Sequence, residues 1–314
     1  MLIVIDQYIP FLKETVQREW PDVTIWSMKP EEITWSHVRN ADVLVVRTRT
    51  RVNEALLHDT HVKLVCTATI GFDHIDTEYC DANGIRWMAC PGCNAQAVCD
   101  YIEEALNEIS NHKFEIINHK SSTIGIIGVG NVGSRVASLA HRRGYSLLLN
   151  DPAKGLTDPL DAIAAQCDII TFHVPLDDTT YHMCNETFLK QCKPGAWIIN
   201  AARGGVVDEQ ALLRSGHPYI LDTWEHEPHI DKQVVAQARL ASMHIAGYSL
   251  QGKITATQMC LKAIADQYGL PSIRQYNIPV SQGDTDPGWL ARITEQLKAH
   301  PEDFEQLRKN YPLR

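Results

Sequence analysis

The stretch TIGIIGVGNVG, residues 123–133, decides the fold. A β-rich run leads straight into glycines spaced Gly128-x-Gly130-x-x-Gly133, and a helical apolar pattern follows over Ser134–Arg143. Glycines at this spacing also serve ordinary tight turns, so the flanks carry the reading: a strand before and a helix after make a dinucleotide fingerprint. Gly128 permits the tight turn, Gly130 lets backbone approach a pyrophosphate, and Gly133 lets helix pack on strand. The helix N-terminus then offers unpaired N–H groups to the phosphates, with Asn131 and Val132 completing the loop. Asp151 closes the next β-rich run, SLLLND (146–151). A carboxylate there accepts hydrogen bonds from ribose hydroxyls and repels a 2′-phosphate, which predicts NAD over NADP. Arg142 and Arg143 lie on the preceding helix and are expected to be solvated.

Outward from this unit the strand and helix patterns alternate. Downstream, DIITFHV (168–174), AWIINAA (196–202), YILDTW (219–224) and SMHIAG (242–247) read as strands. Helices are expected over Leu160–Cys167, Asn185–Gln191 and Glu209–Arg214. Upstream, LIVID (2–6), VTIW (23–26), VLVVR (43–47), KLVCTAT (63–69) and IRWMA (85–89) read as strands, with FLKETVQREW (11–20) and VNEALLHD (52–59) as helices. Apolar runs without clean alternation suit parallel strands buried on both faces, and repeated βα crossovers imply a doubly wound sheet. A helix from Asn94 to about His119 links the two units, with Asn94 as its N-cap. A further helix, Ile254–Tyr268, is expected to return to the first unit. Residues 271–314 are more polar, with one helical stretch at Trp289–Ala299. The first domain is thus expected to be interrupted by the second: 1–92 a substrate domain, 93–250 an NAD-binding domain, 251–270 the returning helix, and 271–314 a short C-terminal segment.

At 314 residues the chain is about twice a usual domain, and 44% hydrophobic with 21% charged residues is ordinary for a globular enzyme. No apolar run reaches the roughly 20 residues that cross a bilayer, and MLIVIDQYIP reads as a first strand rather than a signal peptide. A net charge of −9 argues against nucleic-acid and acidic-membrane partners, so an anionic substrate needs a local basic pocket. Nine scattered cysteines, an odd count, suit a reducing cytoplasm better than a disulfide framework. Cys90-Pro-Gly-Cys93 has CxxC spacing but no partner set, so no metal is expected and the segment reads as a turn.

Three polar residues occupy strand ends of the second unit. Arg203 follows AWIINAA, Glu227 sits in Asp222-Thr-Trp-Glu-His-Glu227-Pro, and His244 interrupts the last apolar run. Hydride transfer at a 2-hydroxy acid needs these groups. A guanidinium grips the carboxylate and polarises the C2 oxygen with a planar fork of donors. An imidazole takes the hydroxyl proton as hydride leaves, and a neighbouring carboxylate orients it and favours its cation. Val174, Ala201 and Gly247, at the ends of these strand runs, complete the cofactor-contact candidates. His226 and His229 read as turn residues rather than ligands.

The run GVGNVG, Asp151, Asn200-Ala-Ala-Arg203-Gly, Asp222 with Glu227-Pro228, and His244-Ile-Ala-Gly247 together resemble the D-isomer-specific 2-hydroxyacid dehydrogenases in order and spacing. The likeness covers roughly residues 40–268. It implies a flavodoxin-like substrate domain beside a Rossmann NAD domain, a site in the cleft between them, and a homodimer. It also implies Arg203 as substrate clamp, Glu227 as partner, His244 as acid/base, and Asp222 near the nicotinamide carboxamide.

A narrower likeness, to the branch acting on a phosphorylated hydroxy acid on the way to pyridoxal phosphate, rests on Arg47-Thr48-x-Thr50, Thr67-Ala-Thr69-x-Gly71-x-Asp73-His74, Pro91-Gly-Cys93-Asn-Ala95, Ala246-Gly-Tyr248-Ser-Leu-x-Gly252-Lys253 and Phe304–Tyr311. It implies that Thr48, Thr69 and Tyr248 touch substrate. The chain departs from that branch in its shorter C-terminal dimerisation region. Extended backbone through Arg47, Arg49 and Arg51 would put all three on one face to meet a phosphate dianion, with Arg47 the strongest candidate. Two rivals stay open: a family member acting on 3-phosphoglycerate or glycerate, and a non-catalytic NAD(H) sensor of the same fold.

Overall fold

Apolar runs that ignore a period of two become central strands. A computed structural model describes residues 1–111, 122–273 and 288–312, and the chain divides into two compact units. The first comprises Met1–Asn94 and Ser249–Ser281, the second Ala95–Tyr248 and Gln282–Arg314.

In the first unit β1 (Leu2–Asp6), β2 (Thr24–Met28), β3 (Val43–Val46), β4 (Leu64–Thr67) and β5 (Arg86–Met88) form one sheet in the order β2-β1-β3-β4-β5. Every pairing is parallel. The strand pleat sorts its side chains to two cores. Ile3, Ile5, Val43, Val45, Leu64 and Cys66 meet Ala256, Cys260, Leu261 and Ile264 of the helix Leu250–Tyr268. Val4, Leu44, Val46 and Val65 meet Val38, Leu56 and Leu57 on the other face. Both faces are covered, as a parallel sheet requires.

In the second unit β6 (Thr123–Ile127), β7 (Ser146–Asp151), β8 (Leu156–Thr157), β9 (Ile169–Phe172), β10 (Trp197–Asn200), β11 (Tyr219–Leu221) and β12 (Leu240–Ala241) lie in the order β12-β11-β10-β9-β6-β7-β8. All pair in parallel except the short β8, antiparallel to β7. The chain runs outward from β6 through β7, then restarts at β9 on the other side. That reversal puts the topological switch point between β6 and β9, where the carboxyl strand ends of such sheets open a ligand crevice. The helix Trp289–Ala299 covers edge strand β12: Thr294 Oγ1 accepts the Ala241 amide at 2.9 Å, and Lys298 Nζ donates to the Ala238 carbonyl at 2.5 Å. An edge so capped has fewer amides free to pair with another strand.

Three readings of the sequence need correction. Residues 242–247 are not a strand: β12 ends at Ala241, and His244 takes a left-handed φ of 58° that a ladder cannot hold. Arg143 is paired, its Nη2 2.7 Å from Glu103 Oε1. Asn94 does not cap its helix through Oδ1, which is buried and has no hydrogen bond among the described residues. The helix itself runs Ala95–Asn111, and the expected extension to His119 lies outside the described residues. Short helices at Thr77–Ala82, Lys232–Gln237 and Phe304–Asn310 carry too few turns for a readable period, and the sequence reading omitted them. Among the described residues no helix is long and apolar enough to cross a membrane.

Candidate active site

The fingerprint loop follows β6. Gly128 has φ 85°, and a Cβ there would stand 2.6 Å from the His173 carbonyl. A Cβ on Gly133 would stand 2.0 Å from the Gly128 carbonyl, so the helix Gly133–Arg142 can start only with glycine. Around Gly130 a Cβ would meet nothing within 4 Å. That open backbone, at a helix N-terminus, fits a pyrophosphate. Asn131 is exposed, Val132 half-buried, and Val174 touches the Gly128 side of the turn. Asp151 Oδ2 accepts the Val129 amide at 2.9 Å, which fixes the carboxylate beside the loop, and among the described residues Oδ1 carries no hydrogen bond. Lys154 Nζ is 2.7 Å from the Val129 carbonyl. These residues fit NAD.

Beyond β10, Asn200 shapes the Arg203 loop. Its Oδ1 accepts the Ala202 amide at 3.0 Å and its Nδ2 donates to the Arg203 carbonyl at 2.8 Å, in a residue 1% exposed. Ala201 lies half-buried in this loop. Arg203 Nη1 bonds the Ala202 carbonyl at 2.8 Å; among the described residues its other guanidinium nitrogens carry no hydrogen bond.

Beyond β11 and β12 the acid/base candidates meet. His244 Nδ1 lies 2.8 Å from Glu227 Oε2, while Glu227 Oε1 accepts the Trp224 amide at 2.9 Å. Burial pushes the Glu227 carboxyl up, but the His244 hydrogen bond and charge, the Trp224 amide and the Arg308 charge outweigh it, and the net direction is downward. Glu227 is thus held ionised. His244 Nε2 carries no hydrogen bond among the described residues.

Asp222 holds the left-handed His244 turn. Its carbonyl accepts the His244 amide at 2.7 Å, its Oδ1 the Ile245 amide at 2.8 Å and the Ser242 hydroxyl at 2.6 Å, and its Oδ2 the Ala246 amide at 2.8 Å. Tyr101 Oη reaches Ser242 Oγ at 2.9 Å. Gly247 follows directly, and Tyr248 packs on the second unit's core with its ring 6.4 Å from that of Tyr311. Sequence reasoning missed Ser242 and Tyr101, because each acts through a contact with no spacing signature, and it placed Asn200 in the Arg203 motif without its loop-shaping role. His226 and His229 lie in the turn, the His229 amide 2.7 Å from the His226 carbonyl.

Within the first unit, Thr69 Oγ1 bonds Thr67 Oγ1 at 2.6 Å and the Gly71 carbonyl at 2.9 Å, and His74 Nε2 lies 3.0 Å from Thr67 Oγ1. Thr48 is exposed at the end of β3. The expected common face of Arg47, Arg49 and Arg51 does not exist. The Thr50 amide bonds the Arg47 carbonyl at 3.2 Å, so the backbone turns where it was expected to extend. Arg47 instead lies over the Tyr8 ring, with Nη1 3.1 Å from the Tyr8 carbonyl and Nε 3.5 Å from Asp6 Oδ2. Burial raises the Asp6 carboxyl despite the Tyr8 amide and the Arg47 and Arg49 charges. Cys90 Sγ sits 3.8 Å from Cys260 Sγ and donates to the Ala256 carbonyl at 3.4 Å. Among the described residues no group of three or more His, Cys, Asp or Glu could hold a metal.

Comparison with known proteins places this arrangement. The NAD-binding domain family of D-isomer specific 2-hydroxyacid dehydrogenases matches residues 96–246. The erythronate-4-phosphate dehydrogenase of Bacteroides fragilis is 40% identical over 340 residues, covering 100% of this chain and 97% of that one. The enzyme of the same name from Pseudomonas fluorescens is 36% identical over 360 residues, covering 100% and 92%. Both alignments are longer than this chain's 314 residues, so the relatives carry extra residues inside the matched span. In fold, the chain is similar to NAD+-bound 3-phosphoglycerate dehydrogenase of Entamoeba histolytica (TM-score 0.71, 22% identity, 88% of this chain and 99% of that one). It is also similar to D-lactate dehydrogenase of Aquifex aeolicus complexed with NAD and lactic acid (TM-score 0.67, 24% identity, 85% and 96%).

Proposed function

This chain belongs to the D-isomer-specific 2-hydroxyacid dehydrogenase family, and from that premise we propose that it oxidises 4-phospho-D-erythronate to 3-hydroxy-2-oxo-4-phosphobutanoate with NAD. The observation that carries the chemistry is the His244–Glu227 pair at 2.8 Å, beyond the strand ends of a dinucleotide-binding sheet. The substrate is supported by whole-chain likeness, at 34–40% identity, to enzymes named for erythronate 4-phosphate.

His244 Nε2 accepts the C2 hydroxyl proton. Glu227 meets the resulting imidazolium at Nδ1 and fixes which nitrogen is free. Arg203 spends one nitrogen on its own loop and turns the rest to the substrate carboxylate. NAD, held by the Gly128–Gly133 loop and Asp151, would supply the acceptor for the C2 hydride. Arg47 supplies the phosphate end, and Thr48, Thr69 and Tyr248 further substrate contacts. Asp222, with its carboxylate committed to the His244 turn, supports the acid/base group as well as bordering the nicotinamide carboxamide. The rival substrates 3-phosphoglycerate and glycerate, and a silent sensor, are separated by one assay. NADH formation should be far faster with 4-phosphoerythronate than with erythronate, glycerate or 3-phosphoglycerate. No turnover with any of the four would leave the sensor reading standing.

The phosphate role has its own test. Arg47→Ala should raise KM more for 4-phosphoerythronate than for erythronate, by on the order of tenfold for one lost charge-assisted contact. An equal change for both acids removes the phosphate role and leaves Arg47 a partner of Asp6 and Tyr8. Asp151 should make kcat/KM at least about tenfold higher with NAD than with NADP, which needs roughly 1.4 kcal/mol of discrimination. Equal values with the two cofactors would contradict it.

The same reading includes a homodimer, a C-terminal segment (271–314) that contributes to pairing, and a cytoplasmic setting. Nine free thiols support the last. The family-like run Phe304–Tyr311 supports the C-terminal role. Its apolar anchor Phe304 is buried in the second unit, while Lys309 and Asn310 are exposed.

A further inference from the structure

A buried carboxylate outside the acid/base pair stands behind the Glu227 turn. Glu209 opens the helix Glu209–Ser215 and is 4% exposed. Its Oε1 accepts the Glu225 amide at 2.7 Å, and its own amide donates to Glu225 Oε2 at 3.3 Å. Glu225 Oε1 in turn lies 2.7 Å from His182 Nε2. One residue earlier the Trp224 amide is held by Glu227 Oε1. Two successive amides are therefore gripped by two carboxylates, and one of those carboxylates is the partner of His244.

We propose that Glu209 is a positioning residue for the acid/base pair: it fixes the Trp224–Glu225 peptide and so sets where Glu227 presents Oε2 to His244. The inference rests on the reading of His244 and Glu227 given above. Helix capping does not explain Glu209, because Asp208 Oδ1 already accepts the Ala211 amide at 2.8 Å. Hydrophobic filling does not explain it either, since a carboxylate is a costly filler in an acidic neighbourhood. Burial pushes its carboxyl up to about 7, against the Glu225 amide and helped by the charges of Glu225, Asp231 and Glu227. The Tyr219 phenol of β11 also feels Glu209, and His182 faces it through Glu225. What the carboxylate does provide is an acceptor at 2.7 Å for a peptide two residues from Glu227.

The test compares wild type with Glu209→Gln, Glu209→Ala and Glu209→Met, the last in case the alanine cavity prevents folding. Glutamine keeps the acceptor and the shape, so its kcat should stay within about threefold of wild type. Alanine and methionine lose the acceptor, and kcat should fall by on the order of 10- to 100-fold with KM for NAD unchanged, as small misplacements of catalytic groups do. The His244 ring, followed by NMR against pH, should change its titration midpoint in these two variants and not in Glu209→Gln. Wild-type stability relative to Glu209→Gln should fall as pH rises from the ordinary glutamate range to about 7. The sign follows from the folded state holding the Glu209 proton that the unfolded chain has already lost. Normal kcat with an unmoved His244 titration in the alanine and methionine variants overturns the proposal. So does a glutamine variant as impaired as alanine. Should wild type turn over no D-2-hydroxy acid, the functional reading fails while the NMR titration still decides the role of Glu209.

Discussion

Replacing His244 by alanine is expected to lower kcat for hydroxy-acid oxidation by on the order of 10²–10⁴-fold while leaving NAD binding nearly intact. The size follows from removing the group that takes the proton in the transition state. The selectivity follows from geometry: the ring is tied to Glu227, in a different loop from the Gly128–Gly133 turn that fits the pyrophosphate. Glu227→Gln tests the other half of the pair. The Glu227 carboxyl lies below its ordinary value, so it is charged throughout the neutral range and favours the imidazolium. Without that charge the imidazole gives up its proton more readily, and oxidation should begin at lower pH, with a smaller kcat because the cation formed in the reaction is less stabilised. Steady-state rates across pH, with NAD affinity from a fluorescence titration, check both variants. A fully active His244→Ala enzyme with an unshifted Glu227→Gln profile would route the proton through another group.

Much of this was legible in the sequence, and the reason is physical. Buried parallel strands leave continuous apolar runs, as at Val43–Val46 and Tyr219–Leu221, and the glycines of a phosphate loop have no substitute where a Cβ would stand 2.0 Å from a carbonyl. Arg203, Glu227 and His244 were found because they interrupt or follow such runs. What failed did so for equally definite reasons. Met243, Ile245 and Ala246 are apolar and buried, so the stretch reads as a strand; the amides of His244, Ile245 and Ala246 are instead committed to Asp222, long-range bonds that no local pattern encodes. Arg47, Arg49 and Arg51 alternate in sequence, yet the chain turns at Thr50, and alternation means a common face only while backbone stays extended. Glu209 enters the sequence reading only as the first residue of an expected helix, because burial and a backbone partner 16 positions away are invisible to periodicity.

Gly204→Ala should cost at least about 100-fold in kcat/KM, from a position with no polar atom beyond its backbone. A Cβ at Gly204 would stand 1.9 Å from the Trp224 carbonyl oxygen, 2.0 Å from its carbon and 2.5 Å from the Glu225 amide nitrogen. All three are backbone atoms, so no side-chain rotation relieves the clash. Either the Arg203 loop or the Trp224–Glu227 turn must shift by more than about 1 Å, the scale at which catalytic geometry fails. Arg203 is the residue before the collision, and Glu227 grips the Trp224 amide, so whichever side yields, the substrate clamp and the acid/base pair lose their register. The neighbouring glycine supplies the control. The nearest atoms to a Cβ at Gly205 belong to side chains, Leu176 at 3.2 Å and the Tyr181 ring at 3.4 Å. Both residues are exposed and can swing away, so Gly205→Ala should stay within about threefold of wild type. Steady-state kinetics and thermal melts of the two variants decide the matter. If Gly204→Ala matches Gly205→Ala in rate, the close approach of the two loops is not what aligns Arg203 with the His244–Glu227 pair.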